Sequence, residues 1–203
     1  MRITDTGAEI TKLEARALLA HASKDETREH LASIHVDPAR GAVVATDGHR
    51  LALCNGAEPS ACFAFSVPRE AIERAQKASK PASMVRLTLR SDGRVDVAVD
   101  LPNSTLTETI AATEANDGRQ FPPYQQIVPD RSAVQPATTA LGFNAKYFGD
   151  MALCAVAAGL DKTTGVQFLG SVPQDKNPEL APMLFTSTGP EGTWSIVVMP
   201  MRI

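Results

Sequence analysis

The sequence is poor in cysteine: Cys54, Cys62 and Cys154 are an odd set without C-x-x-C spacing. That excludes a disulfide framework and a thiolate zinc site, and reads as reduced, buried thiols of a cytoplasmic protein. No run of about 20 apolar residues occurs, which excludes a helical membrane span, and Met1–Gly7 lacks the apolar core of a secretory signal. Charge of one sign is missing as well: the net charge of −3 leaves no strongly basic body that would announce nucleic acid. The four histidines, His21, His30, His35 and His49, have no ligand or catalytic spacing with the cysteines, and no carboxylate pair or nucleophile–base set appears. Asp47 stands near His49, but in a turn that asks for Asp on its own account. The expectation is a protein without metal, cofactor or catalytic activity. A hydrophobic fraction of 43% suits an ordinary soluble globular chain, and 203 residues suffice for one large or two small domains.

What is present is a repeated pattern. Thr11 and Glu14 make a capping box. Ala15, Leu18, Leu19 and Ala22 then form one apolar stripe, predicting a helix over about 11–26 that leaves Arg16, Lys24 and Arg28 to solvent. Strands follow at Leu31–Val36, Ala42–Thr46 and His49–Cys54, the last two joined by a hairpin for which Asp47-Gly48 is a favoured two-residue turn with φ > 0 at both positions. The pattern restarts at Phe63–Val67. Pro68 suits the first position of a helix carrying Ala71, Ile72, Ala75 and Ala78, followed by strands Met84–Leu89, Arg94–Val99 and Ser104–Ala112. Residues 116–136, rich in Pro, Gly and polar side chains, read as a linker with Phe121–Pro129 as its ordered part. A third cycle has a strand at Ala140–Phe143, a helix capped by Asn144, stapled by Phe143 and Phe148 and stopped at Gly159, and strands Val166–Val172, Met183–Ser187 and Trp194–Met199. One strand–helix–three-strand unit therefore occurs three times, with a period of about 65 residues. The fold class is α+β.

Two features are uneven. Residues 66–94 carry Arg69, Arg74, Lys77, Lys80, Arg86, Arg90 and Arg94 against Glu70, Glu73 and Asp92, a net positive stretch in an acidic chain. It fits sequence-independent phosphate attraction and equally a solvated helix face; no aromatic residue interleaves, so base stacking is not expected. The third helix is apolar nearly all round, with only Lys146 and Asp150 charged, and needs cover on more than one side.

The stretch Ala45-Thr46-Asp47-Gly48-His49-Arg50-Leu51-Ala52 resembles a signature of the bacterial DNA polymerase III β subunit, the sliding clamp. Phe121–Pro129 and Val197–Ile203 agree with it, in the family's order. In that family two such units make a domain, three domains a protomer and two protomers a ring, with helices toward duplex DNA. The resemblance implies a shortened, DNA-clamp-like member: one full domain over 1–115, a linker over 116–136 and a half domain over 137–203. It covers nearly all of this chain and about half of a full clamp.

It also implies a pocket for partner peptides. Leu31, Thr46, Gly48, His49, Arg50 and Leu51 match the second domain's contribution. Pro122, Gln126 and Ile127 match the linker, although Gln126 stands where Arg is common. Asn144 and Tyr147 match the start of the last helix, and Val197, Met199, Pro200, Met201, Arg202 and Ile203 match the tail. The chemistry is coherent: Leu51, Ile127 and Val197 offer an apolar floor, Met199 and Met201 an adaptable wall, and Arg50 and Arg202 polar anchors. Without the family, His49 reads as a surface histidine and the tail as an edge strand ended by Pro200. The implied partners are DNA polymerase and repair proteins carrying clamp-binding motifs, with duplex DNA met by Arg16, Lys24, Arg28, Arg69, Arg74, Lys77 and Lys80. A second copy of the chain is expected to complete the half domain, giving a homodimer or a higher homo-oligomer. The alternative is a regulatory decoy that competes with a full-length clamp for its partners.

Overall fold

The computed structural model describes residues 1–55, 58–80, 83–112, 120–136, 143–160, 166–171 and 181–199. The first unit opens with two strands the helix pattern hides, β1 (Arg2–Thr4) and β2 (Gly7–Thr11). Helix α1 (Lys12–His21) starts at the expected capping box: Glu14 N–H donates to Thr11 Oγ1 at 3.2 Å and Thr11 N–H to Glu14 Oε2 at 2.7 Å. Glu14 is fully buried, its other oxygen paired with the Met1 ammonium. The helix ends at His21 and not near residue 26. Beyond it, Ser23 N–H donates to the Leu31 carbonyl at 2.9 Å and closes a polar loop. Strands β3 (Ser33–Asp37), β4 (Ala42–Thr46) and β5 (Arg50–Asn55) follow.

The second unit is β6 (Phe65–Pro68), α2 (Arg69–Ala78), β7 (Met84–Leu89), β8 (Arg94–Leu101) and β9 (Ser104–Ala111). Pro68 ends the strand and precedes the helix, one position earlier than expected. The third unit keeps α3 (Ala145–Ala157), β10 (Gln167–Ser171), β11 (Met183–Gly189) and β12 (Gly192–Val198). Asn144 caps α3, Phe143 meets Phe148 edge-on at 5.8 Å, and Gly159 follows the helix at φ 81°, as a left-handed stop requires. The strand expected at Ala140–Phe143 lies almost wholly outside the described residues.

These strands form two antiparallel sheets, of order β1-β2-β7-β8-β9 and β10-β11-β12-β5-β4-β3-β6. The third unit's strands therefore continue the first unit's sheet, with β12 paired to β5 from Thr193 opposite Asn55 to Val198 opposite Arg50. Behind the sheets α1 touches both α2 and α3, so the helices form a row α2-α1-α3. α1 is thus one of the covers that the apolar α3 needs. Met151, Cys154, Ala155 and Ala157 are buried, and Phe148 remains 52% exposed.

Alternation sorts the side chains of the long sheet. Val43, Ala45, Ala52, Cys54, Trp194 and Ile196 join the core under the helices. Ala42, Val44, Leu51, Leu53, Leu184 and Val197 form a second apolar patch on the opposite face, covered by Phe121 and Tyr124 of the connector. A sheet centre covered on both faces explains why β4 and β5 read as nearly continuous apolar runs. No disulfide forms among the described cysteines: burial pushes the Cys54 thiol up to about 12 and raises Cys154 too, so both sit as inert hydrophobes.

Candidate functional site

The hairpin corner is built by side chains. Thr46 Oγ1 donates to the Arg50 carbonyl at 2.7 Å and accepts the Gly48 N–H at 3.1 Å. Asp47 Oδ1 accepts the N–H groups of His49 and Arg50 at 2.9 and 3.1 Å. Only Gly48 has positive φ, 91°, so the tip is Gly48-His49, and Asp47 serves as its side-chain anchor and not as a turn residue with φ > 0. A side chain at Gly48 would meet the Arg28 guanidinium at 3.0 Å, so glycine also leaves room for Arg28 to cross the corner. On the other side the Met199 N–H donates to the His49 carbonyl at 2.9 Å and carries the β12–β5 ladder one step past Val198. The end of β12 and Met199 are thereby delivered to the corner.

The connector forms the third wall. Phe121 stacks on His35 with ring centres 4.5 Å apart and planes within 5°. The Tyr124 hydroxyl donates to the buried Asp37 carboxylate at 2.8 Å. Burial, then Asp37, raises the Tyr124 hydroxyl well above the usual tyrosine range. Removing that hydroxyl in Tyr124→Phe leaves Asp37 with the exposed Arg40 at 3.4 Å. Unfolding free energy should fall by about 1.5–3 kcal/mol, the scale of a hydrogen bond to a charged group. A urea midpoint within error of the parent would refute this anchor.

The corner, the connector and the end of β12 enclose a mainly apolar cavity of about 180 Å³. Leu31, Thr46, Gly48, His49, Arg50, Leu51, Pro122, Ile127, Val197 and Met199, all expected from the sequence, surround it. Arg28, His30 and Tyr124 complete the lining. Arg28, expected on a DNA-facing helix, lies in the loop after α1. His30 carries no signal beyond its place beside Leu31, and its Nδ1 is buried without a hydrogen-bond partner among the described residues. The signal for Tyr124 is its place as an aromatic inside a Pro-bounded connector. Its far side borders a second, more polar cavity of about 330 Å³ near Arg40, Asn55 and Gln125.

Other expected residues stand elsewhere. Gln126 is exposed and outside the lining. Asn144 is occupied in capping α3, accepting the Lys146 N–H at 3.0 Å. Tyr147 lies under the Arg50 guanidinium, 4.5 Å from ring centre to carbon. Pro200, Met201, Arg202 and Ile203 are outside the described residues. Arg50 lines the cavity with its body, but its head group is engaged: Nη1 reaches Asp150 at 2.6 Å, Nε reaches Asp47 at 3.2 Å, and Nη2 donates to the Ala20 carbonyl at 2.6 Å. It is a structural clasp and not the free polar anchor expected.

The basic residues divide in the same way. Arg69 donates to the carbonyls of Leu19 at 2.6 Å and Ala22 at 3.1 Å and pairs with Glu73 at 2.7 Å. It caps the end of α1 and is not free for phosphate, a correction to the expected set. Arg74 holds Glu108 of β9 through two nitrogens, at 2.5 and 3.0 Å. Arg16, Lys24, Lys77 and Lys80 are exposed and form no ion pair among the described residues. No group of His, Cys, Asp and Glu able to hold a metal occurs among the described residues, and no helix there is long and apolar enough to cross a membrane.

No family model matches the sequence, and no curated protein matches it. The fold does match solved structures. The DNA polymerase III subunit beta from Pseudomonas aeruginosa is similar over 97% of this chain and 66% of its own, at 20% identity and TM-score 0.59. The DNA polymerase sliding clamp from Caulobacter crescentus gives 98%, 66%, 20% and 0.58. A DnaN sliding clamp from Bartonella birtlesii bound to griselimycin gives 98%, 66%, 19% and 0.58. The chain has the sliding-clamp fold and spans 66% of the length of each of these neighbours, more than the half the sequence resemblance implied.

Proposed function

We propose that this chain is a clamp-like, non-catalytic DNA replication factor of the cytoplasm that captures polymerase or repair proteins by short linear motifs. The observation that carries the reading is the apolar cavity where corner, connector and β12 meet, lined by ten of the residues the resemblance assigns to partner peptides. A cavity of about 180 Å³ suits one or two large apolar side chains rather than a folded domain. Leu31, Leu51 and Val197 form a buried floor, and Ile127, 40% exposed, stands at the mouth. The ligand is an extended peptide with a Gln and a pair of large apolar residues.

The test is fluorescence anisotropy with such a labelled peptide. Removing everything from Val197 would take out part of β12, a central strand, so the informative variants are Ile127→Asp and deletion of 200–203. Each should weaken binding roughly thirtyfold, the ~2 kcal/mol of an interface hot spot. Unchanged affinity in both, with the circular dichroism spectrum intact, would overturn the pocket. Tethering to duplex DNA is the second part of the proposal, supported by the exposed Arg16, Lys24, Lys77 and Lys80, which form no ion pair among the described residues. Its signature is an affinity that falls steeply with salt and drops further in Lys77→Glu/Lys80→Glu. An affinity independent of salt counts against it.

A second reading is favoured by the span of only 66% of the neighbours' length. A pocket on a chain that forms no ring would act as a decoy, withdrawing partners from a full-length clamp. Added to a polymerase with its own clamp, a decoy lowers processivity, whereas a working clamp leaves it unchanged or raises it.

A further inference from the structure

The sheet face that carries the peptide cavity carries a second one. Leu51 of β5 lines the first cavity, and Leu53 and Asn55 continue its row by alternation toward the other end of the strand. Asn55 lies opposite Ala42 of β4 and Thr193 of β12, so its backbone is held from both sides. The second cavity, of about 330 Å³, opens there, with Tyr124 as the wall shared with the first. Its apolar part is Ala42 and Leu53, both buried, with Val128 of the connector. Its polar part is Arg40, Asn55 and Gln125.

Arg40 is delivered by a rigid turn. Pro38–Arg40 is one 3-10 turn that ends on Gly41 at φ 61°. The Pro38 carbonyl accepts the Gly41 N–H at 3.1 Å and the Ser60 N–H at 2.9 Å, which ties the turn to the loop after β5. Among the described residues Arg40 has one ion pair, from Nε to Asp37 Oδ2 at 3.4 Å. That oxygen already accepts the Tyr124 hydroxyl at 2.8 Å. A charge-assisted bond is normally about 2.7–2.9 Å, so Asp37 holds Arg40 loosely. A guanidinium has five donors, this contact uses one, and the side chain is 59% exposed. The lining contains no acid and no second base, so it suits one negative charge and not a doubly charged phosphate.

We infer that this second cavity binds a small organic monocarboxylate. The carboxylate sits on the Arg40 fork, a geometry that guanidinium matches with two parallel bonds. The apolar body lies on Leu53 and Val128. The carboxamides of Asn55 and Gln125, each both donor and acceptor, read an amide or hydroxyl on the ligand. The volume lies at the small end of ligand cavities, about 300–1,000 Å³. The inference does not rest on peptide capture, because the two cavities lie on opposite sides of Tyr124, and either can fail alone.

An NMR titration of the full chain with N-acetyl-leucinate tests it, with the uncharged N-acetyl-leucinamide as the comparison. The acid should give saturable shifts at the backbone amides of Arg40, Asn55 and Gln125, with a dissociation constant of about a millimolar for a ligand of this size. The amide should bind roughly tenfold more weakly, the loss of one charged hydrogen bond. In Arg40→Gln the two probes should bind alike, with the spectrum otherwise unchanged. Absence of saturable shifts, equal affinity of acid and amide for the parent, or an Arg40→Gln protein that keeps the preference for the acid would each overturn the inference. So would shifts confined to Gly48 and Met199, which would place the probe in the peptide cavity.

Discussion

Arg50→Ala should lower the unfolding free energy by about 3–5 kcal/mol, the cost of removing one member of a buried ion pair. The guanidinium is only 4% exposed and joins three elements that are far apart in the chain. It closes the hairpin corner through Asp47, reaches α3 through Asp150, and satisfies the Ala20 carbonyl near the end of α1. That carbonyl is among the last four of the helix and has no partner within it. Tyr147 adds a cation–π contact from α3. Truncation leaves Asp150, 19% exposed, and Asp47, 22% exposed, without their counter-charge. The comparison is Arg86→Ala, which breaks a pair whose members are 39% and 47% exposed and should cost about 0–1 kcal/mol. Arg50→Lys keeps the charge but loses the fork, and should fall between them. Urea unfolding of the three variants orders these effects. A loss for Arg50→Ala no larger than for Arg86→Ala would mean that the clasp holds nothing. Against a total stability of about 5–15 kcal/mol the expected loss is a large fraction, and it falls at the joint between the first and third repeats. Arg50→Ala should therefore also impair peptide binding without the guanidinium ever touching the peptide.

How far the sequence reads ahead of the structure depends on whether a contact is local. The capping box of Thr11 and Glu14, the staple of Phe143 and Phe148 and the stop at Gly159 are decided by residues within a few positions of one another, and they are legible. So are the strands on either side of Asp47-Gly48, although the tip shifts by one residue because the Asp47 side chain takes over two backbone N–H groups. β1 and β2 escape because three and five residues carry too little alternation to stand apart from the helix that follows. The seam of β5 with β12 joins distant parts of the chain, and neither strand carries a local mark of its partner. Arg50 illustrates the consequence. Beside His49 it looks like a free donor at a pocket, and only the fold brings Asp150, 100 positions away, within 2.6 Å. The reverse applies to the pocket itself. Leu31, His49, Ile127 and Met199 come together on paper only through resemblance to a family, because nothing in their spacing says that they meet.

Acidification below pH 6.5 should destabilise the protein, and His21 is the cause. The ring is fully buried at the end of α1, and its Nδ1 lies 2.9 Å from the Ala17 carbonyl. A carbonyl only accepts, so Nδ1 carries the hydrogen, and a second proton would have to go to Nε2, which is buried without a hydrogen-bond partner among the described residues. Burial, opposed by the Ala17 bond and reinforced by nearby Arg50, lowers the imidazole from 6.5 to about 4. The folded state thus refuses a proton that the unfolded chain accepts. Stability is intact above the unfolded value, falls as pH drops below 6.5, and levels off below about 4. Each tenfold drop in proton affinity is worth about 1.4 kcal/mol, so the loss between pH 7.5 and pH 5 is about 2 kcal/mol, rising to about 3 in full. His21→Gln keeps a neutral side chain that can still donate toward Ala17, so it should remove this component of the pH dependence. Urea unfolding of parent and variant at the two pH values measures it. Equal pH dependence in both proteins, or an imidazole resonance that titrates near 6.5 in the folded state, would show that the ring is accessible to protons and that the buried site beside Arg50 is more open than its packing indicates.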